Sequence, residues 1–268
     1  MNANQFFETL WNDYTTIAPM AKRLRDHVVA RGEEPQNDHI AFRTFDLAPI
    51  NLAALEVHLL NLGYTRFAPY EFKDKKLKAY GYVHPNGLPR VFLSELVTKD
   101  FSSRLQQVVN ALCAQVDPAR VQDPSVLWSG RLWNPVSYED YLTLTEESEY
   151  AGWVAALGFH ANHFTISINS LKTFSGIHAF AEFLEAEGYA LNTAGGIVKG
   201  NPSVLLEQGA TMADVMPVEF ANGEMHAIPT CYYEFANRYP DATNGGKLYD
   251  GFVAASADKI FESTNRKT

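Results

Sequence analysis

The chain has 268 residues, of which 46% are hydrophobic and 20% charged, a globular composition that can bury a sizeable core and excludes long disordered segments. Its formal net charge is −9, and its lysine cluster at residues 73–78 is short, so the basic surface of a nucleic-acid-binding protein is not expected. The absence of a long apolar run and of a signal-peptide pattern argues against a membrane or secreted protein, and two distant cysteines, Cys113 and Cys231, favour a reducing cytosol.

The N-terminal segment predicts a helical cover. Residues 4–31 place large apolar side chains at helical spacing, beginning with Phe6 and Leu10. Pro19 predicts a division into two helices, because proline removes a backbone donor from a helix interior. Gly32 predicts the end of the second helix.

Residues 38–97 predict a strand–helix–three-strand unit. Residues 39–45 have the alternating pattern of a strand, in which odd-numbered and even-numbered side chains lie on opposite faces. A short amphipathic helix follows and ends at Gly63. The sequence Pro85-Asn86-Gly87 predicts a turn between the last two strands. The strands predicted after the helix are Tyr64–Phe72, Leu77–His84 and Arg90–Leu96.

Residues 101–153 predict mainly helices, and the earlier order of elements then returns over residues 158–236. A strand beginning at His160 precedes a helix that ends at Gly188. Further strand-like runs lie near Ile197 and over residues 203–207, 213–220 and 225–235. The order predicts a single α+β domain over residues 1–268, in which two βαβββ-type units form one concave mixed sheet with helical cover segments.

Two histidines and one glutamate occupy comparable strands of these units. His39 and His163 each lie in the first strand of a unit, and Glu234 lies in the last strand of the second. Each residue alone is more often structural than functional. Together, two imidazoles and one carboxylate are the ligands of a non-haem Fe(II) facial triad, which leaves positions open for substrate and O₂.

Arg43 and Glu95 are further candidates near this triad. Arg43 follows His39 by four residues, so both side chains point to the same face of the strand, where a guanidinium can bind a substrate carboxylate. Glu95 lies near the position of the first unit that corresponds to Glu234, and it is a candidate extra carboxylate or a surface residue. The remaining six histidines are expected to be structural.

The motifs His39-x-x-x-Arg43, Asn162-His163-x-Thr165 and Tyr233-Glu234-Phe235 resemble those of the 2-oxoadipate dioxygenase/decarboxylase family. The resemblance extends from about Asp38 to Phe252 and implies a fold related to the vicinal-oxygen-chelate proteins. It also implies that His39, His163 and Glu234 bind non-haem iron and that Arg43 contacts the substrate.

The resemblance further implies the reaction. The 2-oxo acid would chelate Fe(II), O₂ would bind at the remaining position, and loss of CO₂ with hydroxylation of the same molecule would convert 2-oxoadipate to 2-hydroxyglutarate. Family members are expected to be longer, with C-terminal sequence that contributes to the pocket and has no counterpart here.

Two other functions remain open at this point. A metal-dependent isomerase, lyase or hydrolase could use the same scaffold, because Zn²⁺ also accepts two histidines and a carboxylate. A fourth ligand such as Glu95 would favour it, since that ligand would occupy an open position. A non-catalytic small-ligand binder would bind no divalent metal. The oligomeric state is not predicted.

Overall fold

A mixed sheet with helices packed against it organises the chain, of which the computed structural model describes residues 2–265. The α-helices of this range are α1 (Ala3–Ile17), α2 (Pro19–Ala30), α3 (Leu52–Asn61), α4 (Ser103–Cys113), α5 (Pro118–Val121), α6 (Tyr138–Glu147), α7 (Glu149–Leu157), α8 (Ile177–Ala186) and α9 (Ala254–Ile260). Its strands are β1 (Asn37–Phe45), β2 (Thr65–Phe72), β3 (Leu77–Val83), β4 (Arg90–Leu96), β5 (Ala161–Ser167), β6 (Lys199–Asn201), β7 (Leu206–Ala210), β8 (Val215–Glu219), β9 (Met225–Pro229), β10 (Tyr232–Arg238), β11 (Pro240–Asp241) and β12 (Lys247–Leu248). None of these helices is both long and apolar enough to span a bilayer.

Eight of these strands form one curled sheet in the order β2-β3-β4-β1-β5-β10-β7-β6. β1 runs parallel to β4 and antiparallel to β5, and β10 runs parallel to β5 and antiparallel to β7. The two halves of the sheet therefore repeat one pattern about the central β1–β5 pair, with β4 corresponding to β10. The predicted α+β class with a concave mixed sheet is confirmed. The extent of the domain over residues 1–268 includes residues outside the described range and stays a prediction.

The second half of the sheet contains an insertion. Within the described chain, β8 and β9 form a separate two-stranded hairpin. Its turn residues Asn222 and Gly223 have φ angles of 62° and 76°, in the left-handed region that asparagine and glycine tolerate. The single strand predicted over residues 225–235 is wrong, because the chain leaves the hairpin after Pro229 and enters the main sheet at Tyr232. The hairpin also makes the second unit longer than the first.

α1 and α2 cover the outer face of the sheet over β5 and β10. α2 begins at Pro19, as predicted, where the missing N–H of proline costs no helical hydrogen bond. The Trp11 ring lies edge-on to Phe164 at a centroid distance of 5.2 Å. The Tyr14 hydroxyl donates to the backbone carbonyl of Tyr232, so this helical layer also fixes the start of β10.

α7 is buried along its length and packs against β1. Its end requires glycine, because Gly158 has a φ of 76° and a Cβ there would lie 2.4 Å from the Gly130 carbonyl oxygen. The Tyr150 hydroxyl donates to the Ser94 carbonyl at 2.8 Å and accepts from the Thr44 N–H at 2.9 Å. These bonds fix α7 across β1 and β4.

α9 and the 3₁₀ turn after it, Phe261–Thr264, lie across the concave side of the sheet. α9 contacts β2 at one edge of the sheet and β6 and β7 at the other. The Lys75 ammonium lies 2.6 Å from the Glu262 carboxylate, which ties the turn to the β2–β3 connection. The sheet thus has a helical layer outside and a short helix across its mouth.

Candidate metal centre

The structure brings His39, His163 and Glu234 together on the concave face. They come from the neighbouring strands β1, β5 and β10, and their ligand atoms all lie within 4.8 Å of one another. Glu234 Oε2 is 3.1 Å from His163 Nε2 and 3.5 Å from His39 Nε2. The sheet register causes this convergence, because Glu234 pairs with Thr165 on β5 while His163 pairs with Ala41 on β1.

The donor atoms fit a divalent metal ion. His163 Nε2 is buried, and although Glu234 Oε2 lies 3.1 Å away, this nitrogen makes no hydrogen bond within the described residues. Burial lowers the pKa of His163 to about 3, which leaves a neutral imidazole ready to act as a ligand. Burial alone would lower the pKa of His39, but the carboxylates of Glu234 and Asp38 raise it, so their charge favours a cation between the two imidazoles.

Asp38 is a candidate supporting residue of the site that the sequence interpretation missed. Its Oδ2 lies 2.7 Å from His39 Nδ1, and a carboxylate in this place fixes the tautomer that presents Nε2 to a metal. Arg238 holds Asp38 from the other side, donating from Nε and Nη2 at 2.8–3.0 Å. Burial alone would raise the pKa of Asp38, but the Arg238 guanidinium and the His39 imidazole hold it well below its usual range.

Glu234 and His163 are also held by neighbouring side chains. Gln208 on β7 donates from Nε2 to Glu234 Oε1 at 2.5 Å, and Asn162 Oδ1 lies 3.2 Å from His163 Nδ1. Burial would raise the pKa of Glu234, but the two imidazoles and the Gln208 amide lower it. The carboxylate is therefore ionised, as a metal ligand must be.

Glu95 is not part of this cluster. It pairs with Thr44, on the face of β1 opposite to His39, and accepts a hydrogen bond from the Leu52 N–H at 2.8 Å. The predicted correspondence of Glu234 with Ser94 or Glu95 is wrong by two or three positions. Since His39 pairs with Arg90 and His163 pairs with Tyr232, the counterpart of Glu234 is Phe92. The first half of the sheet thus places a phenyl ring at the position where a symmetric repeat would supply a second carboxylate.

A cavity of about 20 Å³ adjoins the triad, a space that admits about one water-sized molecule. Apart from the triad and Gln208, its lining is apolar and consists of Phe92 on β4 and four residues of the C-terminal segment, Phe252, Ala257, Ile260 and Phe261. The Phe252 ring lies edge-on to His39 at 4.9 Å. This lining excludes water from the side of the triad that faces away from the sheet.

Arg43 lies on the same face of β1 as His39, and its side chain is almost completely buried. Its Nη1 donates to Glu149 at 3.0 Å and its Nη2 to Thr264 at 3.2 Å. Its Cζ lies 5.5 Å from the ring centroid of Phe261, which also lines the cavity. Arg43 therefore lies next to the cavity and carries an internal carboxylate partner.

Residues 12–249 match the family model described as 2-oxoadipate dioxygenase/decarboxylase. The chain is also 33% identical, over 290 aligned residues, to a protein of Oryza sativa subsp. japonica named 2-oxoadipate dioxygenase/decarboxylase, chloroplastic/amyloplastic. That match covers 98% of this chain and 80% of the rice protein.

Two solved structures are similar to the chain in both fold and sequence. A protein of Shewanella frigidimarina NCIMB 400, provisionally named a hydrolase, has a TM-score of 0.88 and 45% identity, covering 94% of this chain and 97% of that one. The hydroxyglutarate synthase of Oryza sativa, solved in complex with 2-oxoadipate, has a TM-score of 0.91 and 32% identity, covering 99% and 94%. Family members were expected to be longer than this chain. The chain covers 97% and 94% of these two structures, but 80% of the full rice protein.

A third structure supports the fold alone. A protein of Ralstonia eutropha JMP134, named in the glyoxalase superfamily, has a TM-score of 0.73 at 23% identity and covers 92% of this chain and 84% of that one. This likeness agrees with the expected vicinal-oxygen-chelate-like fold and concerns the fold alone.

Proposed function

Because the chain belongs to the 2-oxoadipate dioxygenase/decarboxylase family, we propose that it is an Fe(II)-dependent enzyme that converts 2-oxoadipate and O₂ to 2-hydroxyglutarate and CO₂. The observation that carries the proposal is the buried set of two imidazoles and one carboxylate. All three ligands approach from the sheet, and the opposite side faces the cavity. Such a site keeps coordination positions open, as an oxygenase requires.

His39, His163 and Glu234 would hold the iron, and Asp38 and Gln208 would orient two of these ligands. Bound Fe(II) would supply activation of O₂ and polarisation of the 2-oxo acid group. The apolar lining would keep bulk water from the reacting atoms, which strengthens the electrostatic interactions within the site.

Arg43 is proposed to bind a carboxylate of the substrate. Its guanidinium is buried next to the cavity, and a planar guanidinium suits a carboxylate that accepts two hydrogen bonds. Glu149 and Thr264 occupy Nη1 and Nη2 in the present conformation. Substrate binding at these two atoms therefore requires the turn that carries Thr264 to move.

The position of Glu95 bears on the rival metal-dependent isomerase, lyase or hydrolase. That alternative gains support from a fourth protein ligand, but Glu95 lies on the opposite face of the sheet and bonds to α3. With three protein ligands among the described residues, the proposed metal ion would keep open the coordination positions that an oxygenase needs.

The experiment is anaerobic Fe(II) loading followed by O₂ uptake and CO₂ release with a panel of 2-oxo diacids. We expect equimolar O₂ uptake and CO₂ release with 2-oxoadipate. His163→Ala should lose stoichiometric metal and all uptake while keeping the fold, and His226→Ala, in the β8–β9 hairpin, is the matched control. Uptake with no member of the panel would refute the oxygenase, and stoichiometric iron in His163→Ala would refute the ligand set.

We further propose a reducing location such as the cytosol. Cys113 and Cys231 are both buried and free, as suits a compartment that keeps thiols reduced. The rice relative is named a chloroplastic/amyloplastic protein, so the location needs its own measurement. Subcellular fractionation with an antibody to the chain would decide it, and recovery in an oxidising compartment would contradict the proposal.

A further inference from the structure

Among the buried hydrogen-bond donors that have no acceptor within the described residues, two lie on the triad's face of the sheet. They are Arg43 Nε and the Tyr232 hydroxyl. Arg43 has a relative exposure of 2% and Tyr232 of 0%, so bulk water cannot accept a hydrogen bond from either atom. Buried polar groups are nearly always paired in folded proteins, and two unpaired donors in one region indicate a place where a ligand supplies the acceptors.

The sheet register places both side chains at the same end of the site. Ala41, His163 and Tyr232 lie side by side on β1, β5 and β10. Arg43 follows Ala41 by two residues, so it lies on the same face and one row further along β1. Ala41, which precedes Arg43 on this face of β1, contributes only a methyl group to the row that it shares with His163 and Tyr232.

Tyr232 is fixed against a metal ligand. Its ring stacks on the His163 imidazole with centroids 4.7 Å apart and an interplanar angle of 27°. It also packs in a cluster with Ile260 of α9, a residue that lines the cavity. The Tyr232 ring therefore contacts both a proposed metal ligand and the C-terminal segment that lines the cavity.

We propose that Tyr232, together with Arg43, forms the subsite for the second carboxylate of a 2-oxo diacid, and that Tyr232 is a specificity-determining residue. This rests on the proposed function, to which it adds the reason for preferring a diacid. The 2-oxo acid end would be held at the metal, and the far carboxylate would accept hydrogen bonds from the Tyr232 hydroxyl and from Arg43. Glu149 occupies the guanidinium in the absence of that carboxylate.

The subsite discriminates because a monoacid cannot use it. A 2-oxo monoacid of the same chain length would place a methyl group against two buried donors and leave both unpaired. A site built to hydrogen-bond a substrate group rejects an analogue that lacks the group far more strongly than an apolar pocket rejects a size difference. Selectivity for 2-oxoadipate over 2-oxohexanoate should therefore depend on the Tyr232 hydroxyl.

The test is Tyr232→Phe, which keeps the ring on His163 and removes only the hydroxyl. Anaerobic binding of 2-oxoadipate and 2-oxohexanoate to the Fe(II)-loaded protein would be measured by calorimetry, followed by kcat and KM in air. We expect Kd and KM for 2-oxoadipate to rise about tenfold, the scale of one hydrogen bond to a charged group. Binding of 2-oxohexanoate and the metal stoichiometry should stay unchanged.

The chain offers a matched control in the next residue. The Tyr233 hydroxyl is likewise buried and has no hydrogen-bond partner among the described residues, but its ring faces α1, 5.7 Å from the Trp11 ring and away from the triad. Tyr233→Phe should leave the selectivity for the diacid unchanged. If Tyr232→Phe retains wild-type selectivity, or weakens both substrates equally, the subsite is refuted. If the wild type binds 2-oxoadipate but consumes no O₂, the proposed oxygenase fails, while the binding comparison still decides the subsite.

Discussion

In the Asp38–His39 pair, one residue is the proposed metal ligand and its neighbour in sequence orients it. Neighbours in a strand usually point to opposite faces, yet Asp38 Oδ2 lies 2.7 Å from His39 Nδ1. Asp38 lies near the start of β1, where the pairing with β5 shifts register between Asn37 and Ile40. Arg238 holds the carboxylate in place at the same point.

Asp38→Asn should weaken metal binding because the amide accepts less strongly from Nδ1–H and brings no negative charge to the site. We expect a loss of about 10- to 100-fold in affinity, the usual cost of removing such a partner. An anaerobic competition titration against a chromophoric chelator measures it. Asp26→Asn is the control, since Asp26 pairs only with exposed Lys22 among the described residues. Equal affinities in the two variants would contradict a role for Asp38.

The convergence of the three triad side chains could be predicted from sequence, but the residues that contact them could not. His39, His163 and Glu234 each lie in a run with clear strand character, and a strand fixes which residues share a face. The same alternation places Asp38 on the face opposite to His39, because a local shift in register is not visible in a residue pattern. Gln208 depends on how β7 pairs with β10, which needs the register of two strands separated by a hairpin.

β4 and β10 occupy equivalent places in the two halves of the sheet but carry different chemistry. Phe92 on β4 stands where Glu234 stands on β10. Sequence reasoning placed this counterpart two or three residues too late, because element order alone sets no register and the β8–β9 insertion makes the two units unequal in length. The pairing also explains why one side of the candidate metal centre has no protein ligand, since a phenyl ring offers none.

Phe92→Glu should convert the open site into one with four protein ligands. We expect the variant to retain the metal ion and to lose at least about tenfold in O₂ uptake, because a carboxylate would hold a position that substrate needs. Metal stoichiometry and O₂ uptake would be measured on the same preparation. Phe92→Leu is the control for altered packing and should keep most of the activity. Full activity with a retained metal ion in Phe92→Glu would contradict the assigned geometry.

At the scale of the whole molecule, α9 connects the two edges of the sheet. It contacts β2 on one side and β6 and β7 on the other. The sequence patterns predicted the repeated units and the helical covers at residues 4–31 and 101–153, but assigned no element after residue 236. α9 is short, and its position depends on contacts with strands more than a hundred residues apart, which no local pattern encodes.

Substrate entry should require this segment to move. The cavity of about 20 Å³ is far below the about 300 Å³ at which ligand pockets usually begin. We expect amides of residues 254–264 to exchange hydrogen faster than those of β1 and β5, and to slow when 2-oxoadipate binds anaerobically to the iron-loaded protein. Hydrogen-exchange mass spectrometry measures both. Slow exchange in the free protein, with no change on binding, would show that entry uses another route.

Arg238 links the candidate metal centre to the stability of the C-terminal segment against proteolysis. The guanidinium that holds Asp38 also donates from Nη1 to the backbone carbonyls of Tyr249 and Gly251, at 2.8 and 2.7 Å, and thereby anchors the chain that leads into α9. Two events that share one side chain are thermodynamically linked, and the linkage is reciprocal. Metal loading should therefore protect the C-terminal segment from limited proteolysis, and Arg238→Met should abolish that protection. Equal cleavage with and without the metal would disprove the linkage. If metal loading does protect the segment, iron supply would help to set the rate at which the protein is degraded.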